Sequence, residues 1–300
     1  RDFLSKFGDL SLNFNAGYDD LSDFGGLTTI GGGVNGVFAA NGDSVFISNN
    51  DIGGLTGDGV KTQDVASVTL SSNTNVLGGV NGVNATNATT LLLMSNDTVL
   101  GALGDGVRGN NIGTVTLLGN TTITGLGANG VNLDTVDSLV VNGNTTIAGV
   151  LGDGIRGVNV KDATLVGNTT IGGSANGVYL TGDSTGNFNA VGNATILGLL
   201  GNGIEIANYN NASIVGTAGV STIFGGHNGI KADNGLTLSV IGHKLITGLT
   251  GDGIDADGFA TSIAVIGNEG IVGGVDGLHL TNSGDADIVG NGILGVRSEE

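Results

Sequence analysis

The sequence predicts an all-β fold: a parallel β-helix, or β-solenoid, of three short strands per ~24-residue coil, stacked about eleven times. Three observations predict it. Asn/Asp-Gly followed by an aliphatic residue recurs at Asn35, Asp58, Asn81, Asp105, Asn129, Asp153, Asn176, Asn202, Asn228, Asp252 and Asp276, at spacings of 23 to 26 residues. Each period holds three short β-prone runs separated by Gly, Asn or Asp, with apolar residues at alternate positions. Sixty glycines and no proline accompany 39% hydrophobic residues, so the chain is turn-rich yet has apolar surface to bury.

From the N-terminus, residues 1–25 fall outside the repeat. They hold Phe3, Phe7, Phe14 and Phe24 and read as a cap, which the open end of a solenoid needs. Residues 26–300 read as one continuous β-helix domain. Two successive coils are VTLLGN-TTITGLGA-NGVNLDTVDS (115–138) and LVVNGN-TTIAGVLG-DGIRGVNVKD (139–162). In the first run Val115 and Leu117 point inward, followed by Leu139 and Val141 and then Ala163 and Leu165. In the second run Val76, Val99, Ile123, Ile147, Ile171 and Ile196 form one column. In the third, Val131 and Leu133 share a face while Asn132 points away. A helix is excluded, because no i, i+3, i+4 pattern is sustained and each interior glycine would cost ~1 kcal/mol.

Two turn columns are expected to stack. One is the Asn of Gly-Asn before the second run: Asn120, Asn144, Asn168, Asn193 and Asn268, with Asn73 and Asn96 in kindred positions and His243 substituting once. Side-chain amides ~4.8 Å apart would hydrogen-bond from coil to coil. The other is the Asn/Asp-Gly column, including Asn81, Asp105, Asn129 and Asp153, whose glycine is expected to supply a positive φ. This column alternates Asn and Asp, so the full period is two coils, about 47–48 residues. Interposing Asn keeps the carboxylates two coils apart and halves their repulsion. Asp252 and Asp276 break the alternation, and a cation such as Ca²⁺, if one binds this edge, is expected there.

The GNTTI…G(D/N)G(V/I) motif and the coil length resemble the right-handed parallel β-helix proteins of pectin-lyase-like architecture over about residues 26–295. Within that group the chain looks most like the β-strand-repeat adhesins and passenger proteins of bacterial surfaces. The resemblance implies a secreted or surface-attached protein.

Charge and motifs narrow the function. Nine basic and 27 acidic residues give a net charge of −18, which disfavours nucleic acid and anionic lipid as partners. Only Glu205, Glu269, Glu299 and Glu300 are glutamates, so most of the acidity is Asp, a turn former. Cysteine is absent, so no disulfide or thiolate site forms, and no apolar run reaches the ~18 residues of a membrane span. GLGANG (Gly125, Gly127, Gly130) matches a dinucleotide-binding pattern, but a strand follows it where a helix N-terminus is required. GLTGDGV (54–60) and GLTGDGI (248–254) share the flavour of Ca²⁺-binding nonapeptides without their register. The threonine column Thr122, Thr146, Thr170 and Thr195 fits simple β-propensity on a solvent face.

The enzymatic alternative is a polysaccharide lyase or hydrolase, or a tailspike-like glycan binder. Arg156, Glu205, Lys231 and Asp255 occupy one outward position and would line a groove, or equally form salt-bridge ladders. His227, His243 and His279 stand apart in sequence, and no cofactor motif survives. Of eight N-x-S/T sequons, Asn84, Asn87 and Asn211 are the ones left open by the ladder. The favoured expectation is a non-enzymatic extracellular β-solenoid, an adhesin shaft or a subunit of a fibre or layer. Its expected partners are further copies end to end, a longer parent chain, glycans or a host surface.

Overall fold

The computed structural model describes residues 10–13, 29–294 and 296–298, and all regular structure among them is β-strand. The chain divides into two compact units, 1–152 and 153–300. The repeat sequence runs through that division as GVLGDGIR. Each unit is a parallel β-solenoid, and the units together hold about eleven coils. Of the expected cap, Leu10–Asn13 is a strand in parallel register with Val37–Ala40, and the rest of 1–25 lies outside the described residues.

In the first unit the long strands Val37–Ser48, Val60–Ser71, Val83–Met94, Val107–Leu118 and Val131–Asn142 pair in chain order. Val37, Val60, Val83, Val107 and Val131 are successive partners. The four-residue strands, from Thr29–Gly32 to Thr146–Gly149, make a second sheet. Each twelve-residue strand is two of the expected runs, the third of one coil and the first of the next. They join through a single left-handed residue: Asn41 (φ 56°), Asp64 (54°), Asn87 (55°), Asn111 (54°) or Thr135 (57°). Asn and Asp tolerate that conformation through their short polar side chains. In the second unit one short insertion separates Val178–Thr181 from Asn187–Val191, while Ile204–Ala207 and Asn211–Val215 are parted without added residues. A second insertion falls in the turn 216–221 before Thr222–Gly225.

The core is aliphatic and columnar. Val45, Val68, Leu91, Val115 and Leu139 line one wall and Ile52, Val76, Val99, Ile123 and Ile147 another, all buried. Each stabilises the fold by about 1.5–3 kcal/mol. The second unit stacks Ile155, Val178, Ile204, Ile230, Ile254 and Leu278 in the same way. Phe188, Tyr209 and Phe259 are its buried aromatics.

The glycine after each Asn/Asp of the second turn column is not left-handed, contrary to the expectation from sequence. A Cβ on Gly106 would lie 2.6 Å from the carbonyl oxygen of Gly130 and 2.9 Å from the Thr124 backbone. Close approach of successive coils, not φ, demands glycine there. Most of the left-handed glycines among the described residues instead stand before the asparagines of the first turn column, such as Gly119 (φ 61°) and Gly143 (φ 64°).

Candidate functional site

Two polar ladders organise the turns. In the first, Asn96 donates from N and Nδ2 to Asn120 Oδ1 (3.0 and 2.9 Å), and Asn120 does the same to Asn144 Oδ1 (2.9 Å each). Each Nδ2 also donates to a strand carbonyl: Asn96 to Leu70, Asn120 to Leu93, Asn144 to Leu117. In the second unit Asn168 donates to Asn193 Oδ1 and Asn268 to Asn291 Oδ1. Asn50, Ser221 and Asn291 also occupy this column, although the sequence pattern did not single them out.

His243 replaces one amide. Its N–H donates to Asn268 Oδ1 (3.0 Å), and Nε2, as the protonated tautomer, donates to the Ile214 carbonyl (3.3 Å). Nδ1 is buried without a partner among the described residues. Burial pushes the imidazole pKa down from 6.5 to about 4, against the hydrogen bond to Ile214. The unfolded chain therefore takes up a proton first as pH falls. The stability tied to neutral His243 is present above pH 6.5 and is lost as pH drops through 4, amounting to about 3 kcal/mol. His243→Asn is expected to remove this share of the acid sensitivity, read as the difference between the two proteins in urea unfolding across that window.

The second ladder runs the opposite way. Asp58 N donates to Asn35 Oδ1 (2.9 Å), and Asn81 donates from N and Nδ2 to Asp58 Oδ1 (3.1 and 2.8 Å). Asp105 N then donates to Asn81 Oδ1, and Asn129 donates twice to Asp105 Oδ1. In the second unit Asn176 donates twice to Asp153 Oδ1. The alternation thus has a hydrogen-bonding logic beyond charge spacing, since an ionised Asp accepts and Asn supplies the donors. The other carboxylate oxygen is also met: Asn84 donates to Asp58 Oδ2 and Asn132 to Asp105 Oδ2, both at 2.9 Å.

The outward residues of the second unit fall in register. Arg156, Tyr179, Glu205, Lys231, Asp255 and His279 are successive partners. The guanidinium of Arg156 lies over the Tyr179 ring (5.4 Å) and 4.0 Å from Asp153 Oδ2. Asn202 donates to Glu205 (2.7 Å). Lys231 Nζ sits 3.4 Å from Asp233 and 3.9 Å from Asp255. Burial opposes the Lys231 charge, but Asp233 and Asp255 outweigh it and hold the pKa above the ordinary lysine range. Burial also raises the Asp255 pKa, which Lys231 and His279 only partly offset.

At the next coil three metal-ligating atoms converge. His279 Nδ1 is 3.2 Å from Asp255 Oδ1 and 3.6 Å from Asp252 Oδ2, and the three lie within 4.8 Å of one another. Asp276, the expected partner of Asp252, reaches it through its backbone N–H, which donates to Oδ1 (2.9 Å). His279 stands apart in sequence, but parallel register sets it beside Asp255.

Other features are plainer. Ser184, Tyr209, Asn234, Leu236 and Gly258 contribute to a shallow cavity of about 260 Å³ beside the insertion that holds Ser184. The Tyr209 hydroxyl is buried without a partner among the described residues, and desolvation raises its pKa. Gly125 ends the strand Thr122–Gly125, and Gly127 and Gly130 lie in the turn before Val131–Asn142, so GLGANG is a solenoid corner. The sequon asparagines Asn87 and Asn211 donate to Asp64 and Asn187 in exposed settings, and Asn84 is held by Asp58. Among the described residues no helix is long and apolar enough to cross a membrane.

These features define a parallel β-solenoid repeat protein with two internal polar ladders. No protein-family model, curated protein or solved structure matches the chain.

Proposed function

We propose that this chain is a structural, non-enzymatic β-solenoid of the extracellular or cell-surface kind, a fibre or layer subunit or an adhesin shaft. The observation that carries the reading is an uncharged apolar ridge on the turn between the short strand and the Asn/Asp-Gly column. Leu55, Leu103 and Leu151 of the first unit are 77%, 78% and 72% exposed at 48-residue intervals. Leu200 and Leu249 continue the pattern in the second unit. The turns 54–57, 78–80, 101–104, 125–128 and 149–152 hold no Asp, Glu, Lys or Arg, nor do 173–175, 198–201, 225–227, 248–251 and 273–275. A chain of charge −18 that keeps charge off one edge and places large apolar groups there has the makings of an association surface.

Its best-fitting occupant is a second copy. The most exposed leucines recur every two coils, ~9.6 Å, and the intervening turns add the less exposed Val80 and Leu126 to the same edge. Two copies meeting along this edge would bury its leucines and valines against one another without bringing charged turn residues together. The triple variant Leu55→Gln/Leu103→Gln/Leu151→Gln changes only exposed side chains. In sedimentation velocity the parent is expected to associate with rising concentration and salt, and the variant to stay monomeric. A parent that remains monomeric, or a variant that associates equally, overturns the reading.

The Arg156–Tyr179 stack beside Glu205 favours a glycan-binding or glycan-cleaving alternative. Depolymerisation of acidic or neutral polysaccharides that disappears in Glu205→Gln would establish that alternative instead. The proposal includes no cofactor, and its extracellular location rests on the resemblance to bacterial surface repeats.

A further inference from the structure

We propose that Asp252, Asp255 and His279 bind one divalent transition-metal ion of the Zn²⁺ class, joining two successive coils. Two independent observations meet here. The first is geometric: His279 Nδ1 stands 3.2 Å from Asp255 Oδ1 and 3.6 Å from Asp252 Oδ2. Ligand atoms ~2.0–2.1 Å from a tetrahedral ion stand roughly 3.3 Å apart, so the two distances to His279 already fit, and the two carboxylate oxygens, within 4.8 Å of each other, close on the ion by side-chain rotation. The remaining oxygens are already engaged elsewhere. Asp252 Oδ1 accepts from Asp276 N, and Asp255 Oδ2 faces Lys231.

The second observation is how the repeat changes at this point. Three residues after Asp58, Asp105 and Asp153 stand Lys61, Arg108 and Arg156, a cation in each acidic coil. Three residues after Asp252 stands a carboxylate, Asp255. One coil further on, where Asn84 and Asn132 donate to the acidic column, stands His279. These changes together remove a cation and an amide donor and supply a carboxylate and an imidazole at one spot. An imidazole with two carboxylates suits Zn²⁺ and its neighbours, whereas Ca²⁺ takes six or more oxygens. The ion sought is therefore not the Ca²⁺ expected at Asp252 and Asp276, and the fourth ligand position is left to water.

Isothermal titration of the untagged chain with ZnCl₂, and separately with CaCl₂, in about 0.15 M NaCl tests this while screening diffuse cation uptake. The expected result is one saturable Zn²⁺ site, a raised melting midpoint and no saturable Ca²⁺ site. His279→Asn and Asp255→Lys install residues that the repeat itself uses at these positions. Each is expected to keep the circular dichroism of the parent, weaken Zn²⁺ binding by roughly a hundredfold and abolish the midpoint shift. His227→Asn, at an exposed turn histidine, is expected to change nothing. Absence of Zn²⁺ binding, binding that survives both substitutions, binding lost in His227→Asn, or a preference for Ca²⁺ overturns the proposal.

Discussion

Asn120→Ala is expected to lower unfolding stability by about 3–5 kcal/mol, measured by urea denaturation. Asn120 is fully buried and sits mid-ladder. Its loss leaves Asn96 N and Nδ2 without their acceptor and the Leu93 carbonyl without its side-chain donor. A buried polar group left unmet costs about 1–3 kcal/mol, and water reaches this interior poorly. Asn120→Asp separates the two halves of the ladder's work. The carboxylate still receives Asn96 but presents oxygen to Asn144 Oδ1 and the Leu93 carbonyl, so it is expected to be no better than alanine. A loss below about 1 kcal/mol in Asn120→Ala would show that the ladder is not a principal support of the turn.

Gly106→Ala is expected to cost about 3 kcal/mol or more, while Gly143→Ala costs about 1–2 kcal/mol. The pair separates two reasons for glycine. At Gly106 a Cβ meets only backbone, the Gly130 oxygen at 2.6 Å and Thr124 atoms at 2.9 Å. Both neighbours belong to the hydrogen-bonded stack, so neither yields cheaply. At Gly143 nothing lies within 4 Å of the added carbon, and the penalty is the left-handed backbone alone (φ 64°). Thermal unfolding of both variants beside the parent gives the order. A larger loss at Gly143 would refute the close-approach account.

Much of this fold is legible because a solenoid writes its geometry into a period. Val37, Val60, Val83, Val107 and Val131 recur in sequence and stand as neighbours in space, so spacing predicts contact. The Asn120 ladder was legible for the same reason. The direction of each ladder was not, because Asn looks the same whether it gives forward or backward. The left-handed bend at Thr135 was hidden too, since a β-branched residue is a poor signal for positive φ. The Asp252–Asp255–His279 convergence combines a turn position, a strand position and the next coil. Asp252 and Asp255 each stand out in the sequence for separate reasons, and only parallel register brings His279 to them.

Because an ionised aspartate side chain can only receive at the second turn, coils are best changed in pairs where Asn and Asp alternate. Excising the single coil that carries Asn81 would set Asp58 beside Asp105 and leave only the Asp105 backbone N–H to donate, as Asp276 N does to Asp252. Excising two coils restores the old neighbours. The one adjacency of receivers already in the chain, Asp252 with Asp276, stands beside a histidine, as if an odd count had been mended there. Excising two coils rather than one is therefore expected to cost the alternating stretch less of its stability.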